Sequence, residues 1–454
     1  MKLLNFNNVN AADFRNIERK KLYLATFGCQ MNEYDSQRIA QILHEKYALT
    51  SEPDNADLIL INTCSIREKA ENKVYSLVGR LKKFKKQNPG LIIGIAGCVA
   101  QQEGDHLLKR LPFVDLVFGP QCIYGLPDML KDVEKGMGPV LLTELKHDFL
   151  IPLIKAPLPE PNSAQAFVTI MQGCDNFCSF CVVPYVRGRE VSRPPEDIMA
   201  EIKQILDEGV KEVTLLGQNV NSYGKKAGSA SSFPDLLRMV SETPGLERLR
   251  FTTSHPKDIS LDLMKCFRDL DTLCEHLHLP VQSGSTKVLK RMNRHYTRDQ
   301  YLAKVDKLKS LCPDITLTTD LIVGFPGEAD RDFKDTISLL KTVQFDQIFA
   351  FKYSPRPLTR AARFDDHVHE EIKAERLEAV LELQKKIGLA RYKSLEGRKE
   401  EILVEGISKK NNEDLRGRTK GNHVVNFSGT QDLIGNLLTV KIVKACYHSL
   451  RGKI

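Results

Sequence analysis

The sequence predicts an α/β protein in three parts: an N-terminal open parallel sheet, a central partial (β/α)6 barrel and a small C-terminal β-barrel. Three observations lead to this prediction. Short apolar runs alternate with segments of helical spacing in the first third, the same alternation recurs six times in the centre, and the last 63 residues are short alternating runs broken by glycines. A chain of 454 residues is also long enough for about three domains.

Composition excludes several classes of protein. With 42% hydrophobic and 27% charged residues, the chain is not expected to be disordered or fibrous. The longest apolar runs, such as residues 91–97, are far shorter than the roughly 18 residues of a membrane span. Residues 1–20 lack an apolar stretch and carry Asp13 and Glu18, which argues against a secretory signal or a transit peptide. We therefore expect a cytoplasmic protein without a membrane partner.

The N-terminal part predicts a parallel sheet with helices between its strands. Apolar β-rich runs at 21–26, 57–62 and 91–96 are followed by segments of helical spacing, the first two at 28–46 and 67–86. Four prolines between residues 152 and 161 then predict a non-helical linker.

Six strands separated by helical segments predict a partial barrel, with its active site at the carboxyl ends of the strands. The predicted strands are 166–171, 212–216, 248–253, 275–281, 315–323 and 345–353. A charged helix is predicted to follow at 367–396, where the barrel ends. We expect domains at 20–140, 162–391 and 392–454, with a linker at 141–161.

The glycine-rich tail predicts the small β-barrel and carries much of the positive charge. Residues 392–454 hold 12 Lys and Arg against 7 Asp and Glu, an excess of +5 out of +8 for the whole chain. Arg416, Arg418 and Lys420 cluster within five residues, in a segment that we expect to be a loop. A nucleic-acid partner would suit such a cluster, and a solvated charged loop is the simpler alternative.

The strongest chemical signal is a CxxxCxxC motif formed by Cys174, Cys178 and Cys181, directly after the first predicted barrel strand. Eleven cysteines in a long chain without a secretory signal are expected to serve metal binding or catalysis. Three thiolates can hold three irons of a 4Fe–4S cluster and leave the fourth iron open. Zinc, which normally takes four ligands at structural sites, and a chance group of buried thiols are the alternatives.

Three further cysteines stand at matched positions of the N-terminal sheet. Cys29, Cys64 and Cys98 each follow a predicted strand and precede a helix. In an open parallel sheet these corners converge on the crevice where ligands bind, so the three thiols could meet there. Nearby helix N-termini would favour thiolates. A second three-cysteine cluster is therefore predicted, against the alternative of three buried small apolar side chains.

These motifs carry a resemblance to a known family. The CxxxCxxC loop after a barrel strand is similar to that of radical S-adenosylmethionine enzymes. Together with the three N-terminal cysteines, the extension 182–190, the segment 216–224 and the tail 417–427, it resembles the MiaB-type tRNA methylthiotransferases. The tail is similar to a TRAM domain. One departure is that Leu358 and Arg360 stand where the family usually has glycine and often proline.

The resemblance implies an enzyme that inserts SCH3 at carbon 2 of isopentenyl-adenosine, at tRNA position 37 next to the anticodon. It implies two 4Fe–4S clusters, with Cys174, Cys178 and Cys181 holding the radical cluster and Cys29, Cys64 and Cys98 holding the auxiliary one. It also implies S-adenosylmethionine as methyl donor and radical source, tRNA as partner, an electron-donor protein and a monomeric enzyme.

Contacts to S-adenosylmethionine are expected from Gln218 and Gln282, which stand just past strand ends. Arg416, Arg418 and Lys420 are expected to contact tRNA phosphates. Two other functions fit the same motifs: methylthiolation of a ribosomal-protein residue, and a non-catalytic iron–sulfur protein that binds RNA. Cleavage of S-adenosylmethionine separates the last from both enzymes, and tRNA nucleoside analysis separates the two enzymes.

Overall fold

A computed structural model describes residues 19–64, 68–146, 149–157, 164–226, 231–409 and 411–454. The chain forms two compact units. Unit 1 comprises Met1–Pro161, Met171–Asp175 and Val182–Arg193, and unit 2 comprises the rest of the chain. None of the described helices is long and apolar enough to cross a bilayer.

Unit 1 is built on a six-stranded sheet in the order β2-β1-β3-β4-β5-β6, with every ladder parallel, as predicted. Its strands are β1 (Lys20–Thr26), β2 (Tyr47–Leu49), β3 (Leu58–Thr63), β4 (Ile92–Gly97), β5 (Leu116–Phe118) and β6 (Val140–Leu142). Its helices are α1 (Gln30–Leu43), α2 (Glu68–Gln87), α3 (Cys98–Glu103), α4 (Asp105–Arg110) and α5 (Leu126–Glu134). The three-residue strands β2, β5 and β6 were not predicted, because runs this short carry no periodic signal.

Alternate residues of the strands of unit 1 supply two hydrophobic cores, one on each face of the sheet. Leu22 and Leu24 of β1 pack with α1 and α5, whereas Tyr23 and Ala25 pack on the other face with residues of α2 and α4. Strands that are buried on both faces become continuous apolar runs, as in β3. The order reverses at β1, since β2 lies on one side of it and β3 on the other. In open α/β sheets, ligands bind at such a reversal, outside the carboxyl ends of the strands.

Unit 1 also contains a short antiparallel ladder beyond the linker. Strand β8 (Met171–Gln172) pairs with β9 (Val191–Ser192), and α6 (Val183–Val186) precedes β9. The described part of the proline-rich linker, residues 149–157, is non-helical, as expected.

Unit 2 contains the predicted partial barrel of parallel strands. Its strands are β7 (Gln165–Thr169), β10 (Glu212–Leu216), β11 (Arg248–Phe251), β12 (His276–His278), β13 (Thr316–Val323) and β14 (Gln347–Lys352). They form the ladders β11-β10-β7 and β12-β13-β14, and a parallel bridge between Leu249 and Leu273 lies between the two groups. The intervening helices are α7 (Pro195–Asp207), α8 (Phe233–Ser241), α9 (Leu261–Asp269), α10 (Thr286–Arg291), α11 (Arg298–Leu311) and α12 (Asp330–Val343).

Helix α13 (Glu370–Lys393) leads from the partial barrel to a closed five-stranded barrel in the order β15-β16-β17-β19-β18. Its strands are β15 (Lys399–Ile407), β16 (Asp414–Thr419), β17 (Val424–Ser428), β18 (Leu437–Ala445) and β19 (Leu450–Lys453). Closure around a core that includes Ile402 and Phe427 removes the unpaired edges that an open sheet of this size would expose. The three-part α/β architecture predicted from the sequence is therefore confirmed.

Two buried arginines of the partial barrel hold the end of strand β16. Arg248 Nη1 donates to the carbonyl oxygen of Arg418 at 2.6 Å, and the guanidinium of Arg250 donates to the carbonyl oxygens of Thr419 and Lys420 at 2.7 and 2.9 Å. Within unit 2, the C-terminal barrel is thus docked on the partial barrel through hydrogen bonds to its backbone.

Candidate active site with two groups of cysteine thiols

The structure places three N-terminal cysteines at neighbouring carboxyl ends of the unit 1 sheet, as predicted. Cys29 is the N-cap of α1 after β1, Cys64 follows β3, and Cys98 begins α3 directly after β4. Cys64 and Cys98 are buried, and Cys29 is partly exposed. Because β1, β3 and β4 are neighbours in the sheet, all three thiols lie at the same edge of it.

A glycine allows two of these corners to approach closely. Gly28 has a φ of +135°, and a Cβ added there would lie 2.3 Å from the Cys64 Cβ. Any other residue at position 28 would therefore push the Cys64 side chain away. The Cys29 Sγ also donates to Asn32 Oδ1 at 3.3 Å, in the first turn of α1.

A buried ion pair lies beside these thiols. Arg187 donates to Asp35 Oδ2 at 2.6 Å, and both side chains are almost fully buried. Arg187 Nη1 is also buried and makes no hydrogen bond within the described residues. A buried guanidinium with an unused donor is costly unless an anion accepts from it, so this position suits an anionic group bound near the thiols.

The pKa values of Cys29 and Cys98 shift in opposite directions. A hydrogen bond with Cys64 is the main cause that lowers the pKa of Cys29 to about 6, and the charge of Arg187 adds to the effect. Burial instead raises the pKa of Cys98, and Arg187 opposes that rise. Burial alone would lower the pKa of Arg187, but Asp35, Cys98 and Cys29 outweigh it and raise that pKa. Cys29 is thus more readily ionised at neutral pH than Cys98, and a thiol must be ionised to ligate a metal.

The CxxxCxxC cysteines lie in a segment held by backbone hydrogen bonds. Cys174, Cys178 and Cys181 are all partly exposed. The Cys174 N–H donates to the carbonyl oxygen of Gly188 at 3.2 Å, and the Cys181 N–H donates to that of Cys178 at 3.0 Å. Each of the three residues therefore keeps part of its surface open to solvent.

Cys178 is contacted by a cation and an imidazole of the partial barrel. Arg294 Nη1 donates to the Cys178 Sγ at 3.4 Å, and the other nitrogens of the guanidinium donate to Pro280 O and Tyr296 Oη at 2.6 and 3.1 Å. Burial lowers the pKa of Arg294, but Tyr296 and Cys178 outweigh this effect and raise it. The guanidinium therefore stays charged and is fixed by three acceptors.

His255 faces the same sulfur from the end of β11. Its Nδ1 accepts from the N–H of Lys257 at 3.1 Å, so the proton of the neutral ring is on Nε2, which lies 4.0 Å from the Cys178 Sγ. Burial, with help from the charge of Arg294, lowers the pKa of His255 far below its ordinary value. His255 is therefore a neutral donor that points toward Cys178. From the sequence alone, His255 could equally have a structural role or bind a ligand.

Of the two glutamines expected near S-adenosylmethionine, Gln218 lies just after a strand, as predicted, whereas Gln282 lies further along the chain, beyond the end of β12 (His276–His278). Gln218 follows β10 and is half-buried. Gln282 is buried with an unusual positive φ of 68°, and its N–H donates to the carbonyl oxygen of Asp320 at 2.9 Å. Strained non-glycine backbone of this kind clusters at functional sites. Their contacts to the cofactor remain predictions.

The expected loop placement is wrong for Arg416 and Arg418 but correct for Lys420, which lies in the turn after β16. Arg416 and Arg418 lie in strand β16, and Glu405 pairs with their Nε atoms at 3.4 and 2.7 Å. Lys420 Nζ donates to the carbonyl oxygen of Asp271 at 3.0 Å. Gly417 suggested a loop, but it lies within strand β16. Glycine is needed at this position because a Cβ there would lie 2.8 Å from Ile402 Cδ1. A role of these three residues in RNA binding stays a prediction.

The donors of both groups fit iron–sulfur clusters in their chemistry. Within the described ranges, no three His, Cys, Asp or Glu side chains are arranged to hold a metal ion as they stand. The fit instead rests on three thiols per group, on the lowered pKa of Cys29 and on the unused donor of Arg187. Thiolate sulfur is the usual ligand of such clusters.

Sequence reasoning missed Arg187, Asp35 and Arg294 as parts of these sites. Arg187 lies within the extended motif 182–190, so its proximity to a metal-binding motif was a usable signal. Asp35 and Arg294 carry no such signal, because their contacts depend on tertiary packing across 152 and 116 residues of sequence respectively.

Comparison with family models matches all three parts of the chain. Residues 21–119 match the uncharacterized protein family UPF0004, residues 168–340 match the radical SAM superfamily, and residues 393–454 match the TRAM domain.

Solved structures share the fold at low sequence identity. The radical S-adenosylmethionine methyltransferase TsrM from Kitasatospora setae is 11% identical with a TM-score of 0.58, covering 76% of this chain and 75% of its own. The cobalamin-dependent radical enzyme OxsB is 14% identical with a TM-score of 0.51, covering 81% of this chain and 56% of its own. At these identities the likeness concerns the fold alone.

Curated relatives match the chain over its whole length. A protein of Syntrophus aciditrophicus named tRNA-2-methylthio-N(6)-dimethylallyladenosine synthase is 49% identical over 100% of this chain and 98% of its own length. Proteins with the same name from Clostridium botulinum and Geobacter metallireducens are 48% and 49% identical over 99% and 96% of this chain, and over 99% and 98% of their own lengths. The chain therefore belongs to the MiaB-type radical S-adenosylmethionine methylthiotransferases, the family of the tRNA-2-methylthio-N6-dimethylallyladenosine synthases.

Proposed function

We propose that this enzyme adds a methylthio group to carbon 2 of N6-dimethylallyladenosine, also called isopentenyl-adenosine, at tRNA position 37 beside the anticodon. The observation that carries the proposal is 49% identity over the full length to a synthase of this nucleoside. The presence of both cysteine groups in one chain supports it, since the reaction needs a radical and a source of bound sulfur.

In this proposal Cys174, Cys178 and Cys181 hold the radical cluster, and Cys29, Cys64 and Cys98 hold the auxiliary cluster. When bound, the clusters and S-adenosylmethionine supply the electron, the radical and the methyl group. The radical-site thiols are partly exposed, which suits a site that must admit a cofactor. Cys64 and Cys98 are buried, which suits a site that must keep water from reactive sulfur.

The residues around the thiols would act by charge and orientation. The positive charge of Arg187 favours the anionic form of ligands at Cys29 and Cys98, and Asp35 keeps the guanidinium in place. Arg294 and the Nε2 proton of His255 hold the Cys178 side chain in one orientation, which fixes the direction of the sulfur lone pairs. The barrel itself supplies the rigid support that such a site needs.

The proposal also names the surroundings of the enzyme. The substrate is tRNA, as the names of the relatives and the TRAM domain support. The radical chemistry requires an electron-donor protein. Because a single chain contains both cysteine groups, the enzyme would act as a monomer. A tRNA substrate places the reaction in the cytoplasm.

The test is mass spectrometry of tRNA nucleosides from a strain that lacks the gene, complemented with variants. Wild type restores the methylthio nucleoside, and Cys174→Ala and Cys64→Ala do not, because an alanine methyl group cannot ligate iron. In purified protein each variant loses about one cluster's worth of iron. Cys174→Ala also loses release of 5′-deoxyadenosine, whereas Cys64→Ala keeps it, since the two clusters have separate roles.

Cys446→Ala is the matched control, because Cys446 is exposed and lies in the C-terminal barrel. It should retain both iron and product. If the deletion leaves tRNA nucleosides unchanged and a ribosomal protein loses a methylthio group, the alternative enzyme is correct. Normal methylthio product from Cys64→Ala would make Cys64 an ordinary core residue.

A further inference from the structure

Three lysines form a row across neighbouring strands of the C-terminal barrel. Lys399 of β15 lies directly opposite Lys441 of β18, and Lys441 lies directly opposite Lys453 of β19. Residues directly opposite in antiparallel strands have Cβ atoms only about 4.5–5.5 Å apart on the same face. All three side chains are exposed. We call Lys399, Lys441 and Lys453 the lysine row.

This arrangement lowers the stability of the barrel, because like charges directly opposite each other repel. In the part of the chain that the structure describes, no carboxylate pairs with any of the three ammonium groups. Glu401, on the same face of β15 as Lys399, is already bound by Arg248 at 3.0 Å. The row therefore keeps its full positive charge toward solvent.

Several arginines of the same barrel are engaged by acidic residues instead. Glu405 pairs with Arg416 and Arg418, Asp414 pairs with Arg451, and Asp314 pairs with Arg398 at 3.3 Å. Their charges are compensated within the chain. Uncompensated charge on the barrel is thus concentrated on lysines, and three of these are aligned in one row.

We infer that the lysine row binds the phosphate backbone of the tRNA substrate. This inference rests on the proposed function, which supplies the polyanion. Exposed ammonium groups with no internal partner lose little on binding phosphate, whereas Arg416 and Arg418 would first have to leave Glu405. The backbone positions of the row are also fixed relative to one another, because each lysine belongs to a strand of a closed barrel.

The experiment compares wild type with the triple variant Lys399→Gln, Lys441→Gln, Lys453→Gln in the intact enzyme. Affinity for the isopentenylated tRNA is measured over a range of salt concentrations. Each lost phosphate contact lowers the slope of log affinity against log salt by roughly 0.7–0.9, so the slope should fall by about two to three. If the two proteins bind equally at 1 M salt, the same relation gives about a 50- to 170-fold weaker affinity near 0.15 M salt.

The matched control removes the same total charge elsewhere. Lys203, Lys307 and Lys334 are exposed on helices α7, α11 and α12 of unit 2. Their triple change to Gln should reduce tRNA affinity several-fold less than the row variant does. Cleavage of S-adenosylmethionine without tRNA should be unchanged in both variants. The row variant should also melt at the same or a higher temperature, because repulsion between neighbouring lysines is removed.

Other outcomes overturn the inference. Equal affinity and equal salt slope in the row variant and wild type would show that tRNA does not contact these lysines. Slower reduction of the clusters with unchanged tRNA binding would assign the row to the electron-donor protein. A lower melting temperature together with the weaker affinity would trace the loss to a damaged barrel and not to lost phosphate contacts. If wild type itself fails to bind the tRNA, the proposed function fails along with the inference.

Discussion

Leu358 adopts a backbone conformation that favours glycine. Its φ is +69°, and its side chain is 55% exposed in the turn between β14 and the short helical turn Arg360–Arg363. The resemblance described above leads to the expectation of a glycine at this position. A left-handed conformation costs a residue with a Cβ about 1–2 kcal/mol, so the chain tolerates local strain here.

Leu358→Gly should therefore stabilise the enzyme by about 0.5–1 kcal/mol. The relief of strain is larger than the extra entropy that glycine has in the unfolded chain, about 0.5–1 kcal/mol. The expected rise in apparent melting temperature is about 1–3 °C. Leu381→Gly is the control, because Leu381 is similarly exposed but lies inside helix α13, where glycine should lower stability by about 1 kcal/mol. A lower melting temperature for Leu358→Gly would contradict the strain argument.

Arg294 should set the electronic properties of the radical site through Cys178. Arg294→Leu removes a buried positive charge 3.4 Å from the sulfur, so the reduction potential of the cluster should fall by an amount on the order of tens of millivolts. A redox titration monitored by electron paramagnetic resonance measures it. Arg294→Lys keeps the charge and should lie between the leucine variant and wild type. An unchanged reduction potential in Arg294→Leu would show that Arg294 has only a structural role.

Residue types were predictable where chemistry restricts them, and contacts were not. Cys29, Cys64 and Cys98 stood out because thiols at three matched strand ends are rare and the parallel sheet fixes where those ends lie. Arg294 did not stand out, because an arginine in a loop has many possible partners. Its position next to Cys178 follows from packing that no local pattern records.

At the scale of elements, the end of strand β16 joins the C-terminal barrel to the partial barrel. His276 of β12 is partly buried at this junction, with Asn422 Nδ2 3.5 Å from its Nε2. Burial, followed by Arg250, His278 and His423, lowers the pKa of His276 well below its ordinary value, and Asp346 opposes the shift. The folded protein therefore holds His276 neutral at a pH at which the unfolded chain would protonate it.

The free energy of unfolding should fall as the pH drops below about 6.5, because the unfolded chain then binds a proton that the folded chain excludes. One such histidine contributes up to about 1.4 kcal/mol per pH unit. His276→Gln removes this contribution, so its melting temperature should decline less than that of wild type between pH 7 and pH 5. His106→Gln, on an exposed position of α4, is the control. An identical decline in His276→Gln and wild type would exclude His276 as the cause.

Elements were predictable when they were long or strongly periodic. Helix α13 and the partial-barrel strands except β12 lie close to their predicted bounds, since repeats and a 24-residue helix leave a clear pattern. Strand β12 is shorter than the predicted 275–281. Strand β16 was not predictable, because Gly417 in a short polar run indicates a turn. Only the contact with Ile402 explains why glycine is needed within the strand.

At the scale of the whole molecule, the division of the chain could not be read from the sequence. A linker at 152–161 suggested that the N-terminal sheet ends there. Unit 1 nevertheless includes Met171–Asp175 and Val182–Arg193, beyond the linker. Composition marks where a chain is irregular, but only packing decides which unit a later segment joins.

The ion pair between Asp35 and Arg187 limits how this architecture could be rearranged in evolution. The carboxylate belongs to helix α1, which packs on the N-terminal sheet, whereas its cation is encoded more than 150 positions later, in Val182–Arg193. A gene fusion that moved only the first 161 codons to another enzyme would bury Asp35 without a counter-charge, at a cost of several kcal/mol. A transfer that keeps Asp35 paired would therefore have to carry the segment that follows the CxxxCxxC motif along with the sheet.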